Sequence, residues 1–460
     1  MKKRMWSMLI SMVLAISVTG CGTSNNSNPS STPVTEQASH NDNQATDNPP
    51  TQDTAGEEKV IRVVTGWNEA SFPNWPEAIQ KFEVDHPGIK VDIEYTPSGE
   101  DATTKIKAQL VAGNAPDIFQ TWKVYFNDFA EAGYLTDLTD AYETYGFVEG
   151  TLMNGSRNWC TKLYDAANPA AKTYGVSDFI CPSVFYYNTK IFNDLGLKEP
   201  TNLEELVQVS KKLKEAGIKP LVVPGATDNF LDILAKIQVQ FTGVQYLLDV
   251  NNGKAKLTDE SMMQAMNVLE TLIKEEVIDA SCISYTEDDC VAALANGSAA
   301  MFSMHSQFDN QLRAAQESNP DFQYSIIKGI NFTENPVTKY SCTFGGCWVI
   351  PEKSQVKEEA KELLFYLFGE EVSEKSASEG GRITGMVEAN QYLGSEALQV
   401  VVKNQLPELS TDSYYLIDML PGSTATALRS GMQEILQGTG TAQTALENAQ
   451  TVMDQVLQDK

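Results

Sequence analysis

From Lys59 onward the chain alternates short apolar runs with amphipathic helices, and this alternation limits the possible folds more than any other feature. Val60 to Val64 is a run fit for a buried strand, and Ile89-Lys90-Val91-Asp92-Ile93-Glu94-Tyr95 alternates strictly, as a half-buried strand does. Between them Trp75, Ile79 and Phe82 share one helical face, with Asn74 and Glu77 spaced for a capping box and Pro76 in the first turn. A second helix carries Ile106 and Leu110 to a stop at Gly113, and Ala115-Pro116-Asp117-Ile118-Phe119 restarts a strand. The same unit returns at Val184 to Asn188. A capping box at Thr201 and Glu204 follows, with Leu203, Leu206, Val209 and Leu213 along one face, a stop at Gly217 and a strand at Leu221-Val222-Val223. Later helices carry Met262, Met266, Leu269 and Ile273, then Ala360, Leu363, Leu364 and Leu367, then Leu446, Ala449, Met453 and Val456. Repeated strand–helix–strand units predict an α/β protein with mostly parallel sheets covered on both faces, and the length suits two lobes.

The segment ahead of this body is of another kind. Lys2, Lys3 and Arg4 precede a mostly apolar run from Met5 to Val18, too short to span a ~30 Å bilayer core comfortably, so residues 1–20 read as an export signal. Val18-Thr19-Gly20-Cys21 resembles the lipobox of bacterial lipoproteins, which implies acylation of Cys21; the alternative is an ordinary signal followed by a chance cysteine. Between Gly22 and Glu58 there is no aromatic residue, and Val34 is the single large aliphatic one, so residues 21–58 are expected to be a lipid-anchored disordered tether. The predicted location is extracytoplasmic, anchored to the outer face of a Gram-positive cell membrane by two acyl chains.

Charge and composition exclude several classes. With 34 Lys+Arg against 61 Asp+Glu the net charge is -27, and loss of Lys2, Lys3 and Arg4 with the signal leaves 31 − 61 = −30. No basic stripe is present, so nucleic acid is not an expected partner. A hydrophobic fraction of 42% is that of a globular chain with ample core. Cys160, Cys181, Cys282, Cys290, Cys342 and Cys347 are an even number that permits disulfides, in too many connectivities to assign. The histidines are His40, His86 and His305, so no zinc cluster forms, and neither a metal nor a cofactor is expected. Asp249 to Glu260 has its glycine misplaced for a calcium loop and reads as a turn, and Met262, Met263 and Met266 read as core.

Four motifs in order carry a family resemblance. Phe82, Asp85, His86, Pro87, Ile89 and Val91 lead to Gly113-Asn114-Ala115-Pro116-Asp117-Ile118. Tyr186-Tyr187-Asn188-Thr189-Lys190-Ile191-Phe192 is followed by Gly196-Leu197 and Pro200-Thr201. Asn296-Gly297-Ser298-Ala299-Ala300-Met301 and the pair Gly345-Gly346 before Val349-Ile350 complete the series. In these the chain resembles the extracellular solute-binding proteins of bacterial ABC importers, specifically the maltose-binding-like sugar binders. The resemblance implies a two-lobed type II periplasmic-binding-protein-like fold, with a carbohydrate bound between lobes joined by hinge strands. It also implies three crossings, near 175–181, 328–335 and 376–385. The lobes would be 59–177 with 331–376, and 178–330 with 377–460. The implied partners are a carbohydrate, separate permease and ATPase chains, and the membrane through the anchor, for a monomer without catalysis. The alternatives are a surface carbohydrate-active enzyme using paired carboxylates and a receptor for peptides or other small solutes. No nucleophile elbow, P-loop or HExxH supports the first.

Sugars present C–H faces to aromatic rings and hydroxyl edges to amides and charged groups, so mixtures of these just beyond strand ends are the candidate contacts. Trp67, Asn68 and Glu69 follow the first strand, and Gln120 and Trp122 the third. Asp228 and Phe230 follow the Leu221 strand, and His305 and Gln307 the Met301 strand. Tyr187 joins them from the second motif. Gly345 and Gly346 are expected to admit a ligand beside Trp348, and Arg382 sits in a glycine-rich turn after the third crossing. Trp67 and Trp122 also fit as core covers, Trp348 as a buried strand residue, and Arg382 as an ordinary surface ion pair.

Overall fold

Each predicted apolar run forms a strand. The computed structural model describes residues 58–67, 71–96 and 100–459, within one compact unit, Ala55–Lys460. The signal 1–20, Cys21 with its lipidation, and all but the last residue of the tether lie outside the described residues. The strands are β1 (Lys59–Thr65), β2 (Ile89–Tyr95), β3 (Ile118–Thr121), β4 (Val176–Ser177), β5 (Ile180–Asn188), β6 (Lys219–Val222), β7 (Ala299–His305), β8 (Tyr324–Ile326), β9 (Cys342–Phe344) and β10 (Cys347–Val349). They form two sheets, ordered β2-β1-β3-β10-β4 and β6-β7-β5-β8, with β9 paired to β5.

The α/β two-sheet architecture is the expected one, but the sheets are mixed rather than mostly parallel. β1 pairs parallel with β2 and β3, and β6 with β7. β10 runs against β3 and β4, and β5 against β7, β8 and β9. Each sheet thus contains one reversed strand, the one that arrives directly from the other sheet.

On one face of the first sheet, Trp75 and Phe82 from the helix Trp75–Asp85 and Leu363 and Leu364 from Lys357–Leu367 join Ile61, Val63, Val176 and Trp348 in one core. Its opposite face buries Ile106, Leu110, Phe119 and Phe129. The second sheet is covered by Leu203–Glu215, by Leu231–Phe241, which is buried almost all round, and by Glu260–Lys274, where Met262 and Met266 are core. Two caps differ from the sequence reading. Asn74 leaves its helix uncapped because its Nδ2 donates to Val372 O at 3.0 Å on the helix Glu370–Ser378. Asn202 rather than Thr201 caps the Leu203 helix, accepting from Glu205 N at 2.9 Å.

The sheets are joined by an antiparallel ribbon of unbroken register. Val176 and Ser177 pair with Trp348 and Cys347; Ile180, Cys181 and Pro182 pair with Phe344, Thr343 and Cys342. At the join Asp178 N donates to Gly346 O (3.3 Å) and Gly345 N to Phe179 O (2.7 Å). A third segment lies alongside: Ile180 N donates to Ile383 O at 2.9 Å and Phe179 bridges Thr384. The return crossing is therefore at Gly345-Gly346, later than the implied 328–335. Residues 331–341 instead run along the second sheet, where Phe332 N donates to Gln240 Oε1 and Ser183 N to Ser341 O. Met386 and Ala389, beyond the third segment, pack into the first core.

All six cysteines of the body are free and buried. Burial pushes the Cys181 thiol up to about 12 and that of Cys282 to about 11. Among the described residues no helix is long and apolar enough to cross a membrane, and no group of His, Cys, Asp and Glu could hold a metal ion.

Candidate ligand-binding site

Parallel strands present their carboxyl ends on one side, and there β1 and β3 release Trp67 and Trp122. The two rings meet edge to face at 5.1 Å, and Trp67 also packs on Phe179 at 5.2 Å. Both are partly exposed. Gln120 links the two strand ends, its Oε1 accepting from Gly66 N at 3.3 Å. A small pocket of about 40 Å³ lies here, lined by Gly66, Thr96, Gln120, Thr121 and Trp122 above the core residues Ile106, Phe119 and Phe129. Asn68 and Glu69 lie outside the described residues.

Beneath these rings is a residue that sequence reasoning missed. Asp178, at the join of the ribbon, accepts from Trp67 Nε1 (3.0 Å) and Trp348 Nε1 (3.1 Å) on Oδ2, and from Phe179 N (2.8 Å) on Oδ1. Burial pushes its carboxyl up to about 7, against the pull of those donors and of the Arg382 charge. The glycine pair exists for this contact. A Cβ on Gly345 would stand 1.8 Å from Asp178 Oδ1, and one on Gly346 would stand 2.3 Å from Gln120 Nε2. The glycines therefore make room for protein side chains. Trp348 is a core residue: fully buried at 0% exposure, it packs edge-on against Trp75 at 5.0 Å and has no ring face free.

Arg382 forms no ion pair among the described residues. Its guanidinium carbon stands over three rings, 4.7 Å from Phe179, 5.4 Å from Trp67 and 5.5 Å from Phe72. Burial lowers its pKa, with Asp178 and Cys181 acting against that. It borders a second small pocket, of about 40 Å³, with Ser306 and Gln307 just beyond β7 and Asn310 in the helix Asp309–Ser318. Gln307 is exposed there and accepts from the Cys181 thiol at 3.7 Å.

His305 is buried at the end of β7, edge-on to Tyr415 at 5.0 Å and 3.3 Å from Asp232 Oδ1. Burial lowers it to about 4, so the ring is neutral at pH 7. Asp232 belongs to a buried network with Lys236, Ser183 (2.6 Å) and Ser303 (3.0 Å). Burial opposes its charge, but Lys236 and His305 outweigh burial and hold its pKa low. Asp228 is exposed and pairs with Arg429 at 2.8 Å.

Two further candidates are not at the site. Phe230 is fully buried under its helix. Tyr187 lies seven residues along β5 from Ile180, roughly 20 Å from the join at the usual strand rise, with its Oη donating to Glu199. The structure thus gathers Trp67, Gln120, Trp122 and Arg382 around Asp178, with Gln307 beside Arg382 and His305 at the end of the neighbouring strand.

The family model "Bacterial extracellular solute-binding protein" matches residues 66–374, which run from the end of β1 through β2 to β10 and include the ribbon. The chain belongs to this family. This solute-binding protein is 26% identical over 254 residues to a multiple sugar-binding protein of Streptococcus mutans, covering 53% of this chain and 56% of that one. It is 25% identical over 219 residues to an uncharacterised ABC transporter extracellular-binding protein of Pyrococcus horikoshii, covering 46% and 49%. The chain spans about half the length of each of these relatives. A solved structure, a chitin oligosaccharide binding protein, superposes with a TM-score of 0.71 at 18% identity, covering 88% of this chain and all of that one, which establishes the shared fold.

Proposed function

We propose that this solute-binding protein captures a carbohydrate between its two sheets and hands it to the permease of an ABC importer, itself performing no chemistry. The observation that carries this reading is the pair of part-exposed indoles, Trp67 and Trp122, at the carboxyl ends of β1 and β3. Trp67 packs on Phe179 of the ribbon and under Arg382, Gln120 lines a pocket with Trp122, and Gln307 lines a second one with Arg382. Rings for C–H faces beside polar edges are what a sugar requires. The names of the Streptococcus relative and of the chitin oligosaccharide binder support the same class.

In this reading Trp67, Asn68, Glu69, Gln120 and Trp122 supply one wall, and Asp228, His305, Gln307 and Arg382 the other. The first lobe comprises 59–177 with β10 and the helices to Ser378, and the second comprises β5 to β9 with the C-terminal helices. Closure about the ribbon buries the ligand and presents a new outer surface to the permease. Acylated Cys21 and the following tether hold the monomeric body at the outer face of the membrane. Separate chains provide the pore and the ATPase.

The test is a thermal-shift screen of the purified full-length chain against mono- and oligosaccharides, with basic peptides as controls and product analysis of every hit. A sugar at about 100 times its Kd stabilises by about 2.7 kcal/mol and is recovered unchanged. Cleaved sugar would make the protein an enzyme. A response to peptides alone would remove the carbohydrate assignment.

A further inference from the structure

Arg382 is held in an unusual state for a cation on a chain of net charge -27. Three rings, Phe179, Trp67 and Phe72, fix its guanidinium in place. Among the described residues its backbone N–H donates, to Ser376 O, but none accepts a hydrogen bond from its guanidinium. Asp178, whose charge acts on it, accepts instead from Trp67, Trp348 and the backbone of Phe179. Unlike the Nε atoms of Arg313 and Arg429, no Arg382 nitrogen is among the buried side-chain atoms lacking a partner, so its donors reach the pocket shared with Ser306, Gln307 and Asn310.

A guanidinium braced on rings but free at its edge is a planar fork of parallel N–H groups, the complement of a carboxylate. A neutral sugar would fill it with single hydroxyl contacts. If the cleft closed on such a sugar, the guanidinium would lose water without gaining a counter-charge. A carboxylate supplies two charge-assisted hydrogen bonds and neutralises the charge in the same movement.

We propose that Arg382 reads a carboxylate, so that the carbohydrate this protein captures is an acidic one, carrying a uronate or equivalent group. This inference rests on the carbohydrate reading above. The chain's overall negative charge opposes an anion at long range. At ~0.15 M salt that repulsion is screened beyond about 8 Å, whereas the contact itself is not.

The experiment is calorimetric titration of the full-length chain at about 0.15 M salt, near the physiological screening length. The probes are matched pairs: glucuronate against glucose, galacturonate against galactose, and uronate-terminated disaccharides against their neutral counterparts. The expected result is acid binding at least about tenfold tighter than the neutral partner, the least a bidentate charged pair contributes. In Arg382→Gln that preference falls to parity, and in Arg382→Lys, which keeps the charge without the fork, part of it survives. The melting temperature of each free variant separates lost folding from lost recognition. Pairs that bind equally, or a tighter neutral member, overturn the carboxylate inference and leave carbohydrate capture standing. A preference that persists in Arg382→Gln overturns the role of Arg382. A screen in which no sugar of either kind binds overturns both readings.

Discussion

Replacing Gly345 by alanine tests how the join of the two sheets is built. The added Cβ would stand 1.8 Å from Asp178 Oδ1, 3.0 Å from its Cγ and 3.2 Å from Phe179 Cε1, so the carboxyl has to leave. Two costs follow. Forcing a methyl into a filled site costs about 1–3 kcal/mol. Moving the carboxyl removes the acceptor of Trp348 Nε1, and a buried N–H left unpaired costs about another 1–3 kcal/mol. Gly345→Ala should therefore lose about 2–6 kcal/mol, read from urea unfolding followed by tryptophan fluorescence and circular dichroism. The decisive measurement is the same change in an Asp178→Ala background. There the clashing carboxyl is absent and the nearest obstacle is the ring atom at 3.2 Å. In that background Gly345→Ala should cost at least about 1 kcal/mol less than in the wild type, well outside the additivity of independent sites. Equal losses in the two backgrounds would show that Gly345 is constrained by something other than Asp178, and the account of the glycine pair would be wrong.

Three further outcomes are expected. Asp178 sits at about 7 in the folded chain against 3.8 unexpanded by burial, so between about pH 4 and 7 the folded state keeps a proton that the unfolded state has released, and stability falls as pH rises through that window. Asp178→Asn removes this slope, so its stability relative to wild type should rise by up to about 4 kcal/mol from pH 4 to 8, while Asp418 and His305 titrate alike in both proteins. Trp348→Ala should cost about 3–5 kcal/mol in unfolding experiments, whereas Trp122→Ala, at a part-exposed ring, should weaken sugar binding with a smaller stability loss. Asp232→Ala strands Lys236 as a buried charge and should cost about 3–5 kcal/mol; adding Lys236→Met should recover part of it, as measured by urea midpoints.

The fold was legible where a pattern is local. β1, β2 and the Leu203 helix follow from side-chain period and stop residues, which act within a dozen positions. Strand direction was not legible, because β5 and β10 are reversed by where the chain has just come from, and periodicity is the same whichever way a strand runs. At the site, Trp67 and Trp122 stood out because an aromatic just past an apolar strand is a local signal. Asp178 carried no such signal. Its partners Trp67 and Trp348 are 111 and 170 residues away, and a lone acid after a two-residue strand resembles any turn. A glycine pair signals close approach in the sequence, but what approaches, here Asp178 and Gln120, is a matter of three-dimensional neighbours. Tyr187 and Phe230 were misplaced for the opposite reason: both follow the expected residue pattern, and only the tertiary fold shows one at the far end of its strand and the other in the core.

The ribbon between the sheets has a mechanical consequence. Its pairs run from Val176 opposite Trp348 to Pro182 opposite Cys342 with no residue inserted or skipped, and two backbone hydrogen bonds span the join itself. Sliding one strand past the other would break the whole ladder at once, whereas twisting and bending leave every bond in place. The connection therefore behaves as a torsion spring: stiff along its length and compliant in rotation. A rotation of one sheet against the other would therefore meet the least resistance at the join, around Asp178 and Gly345.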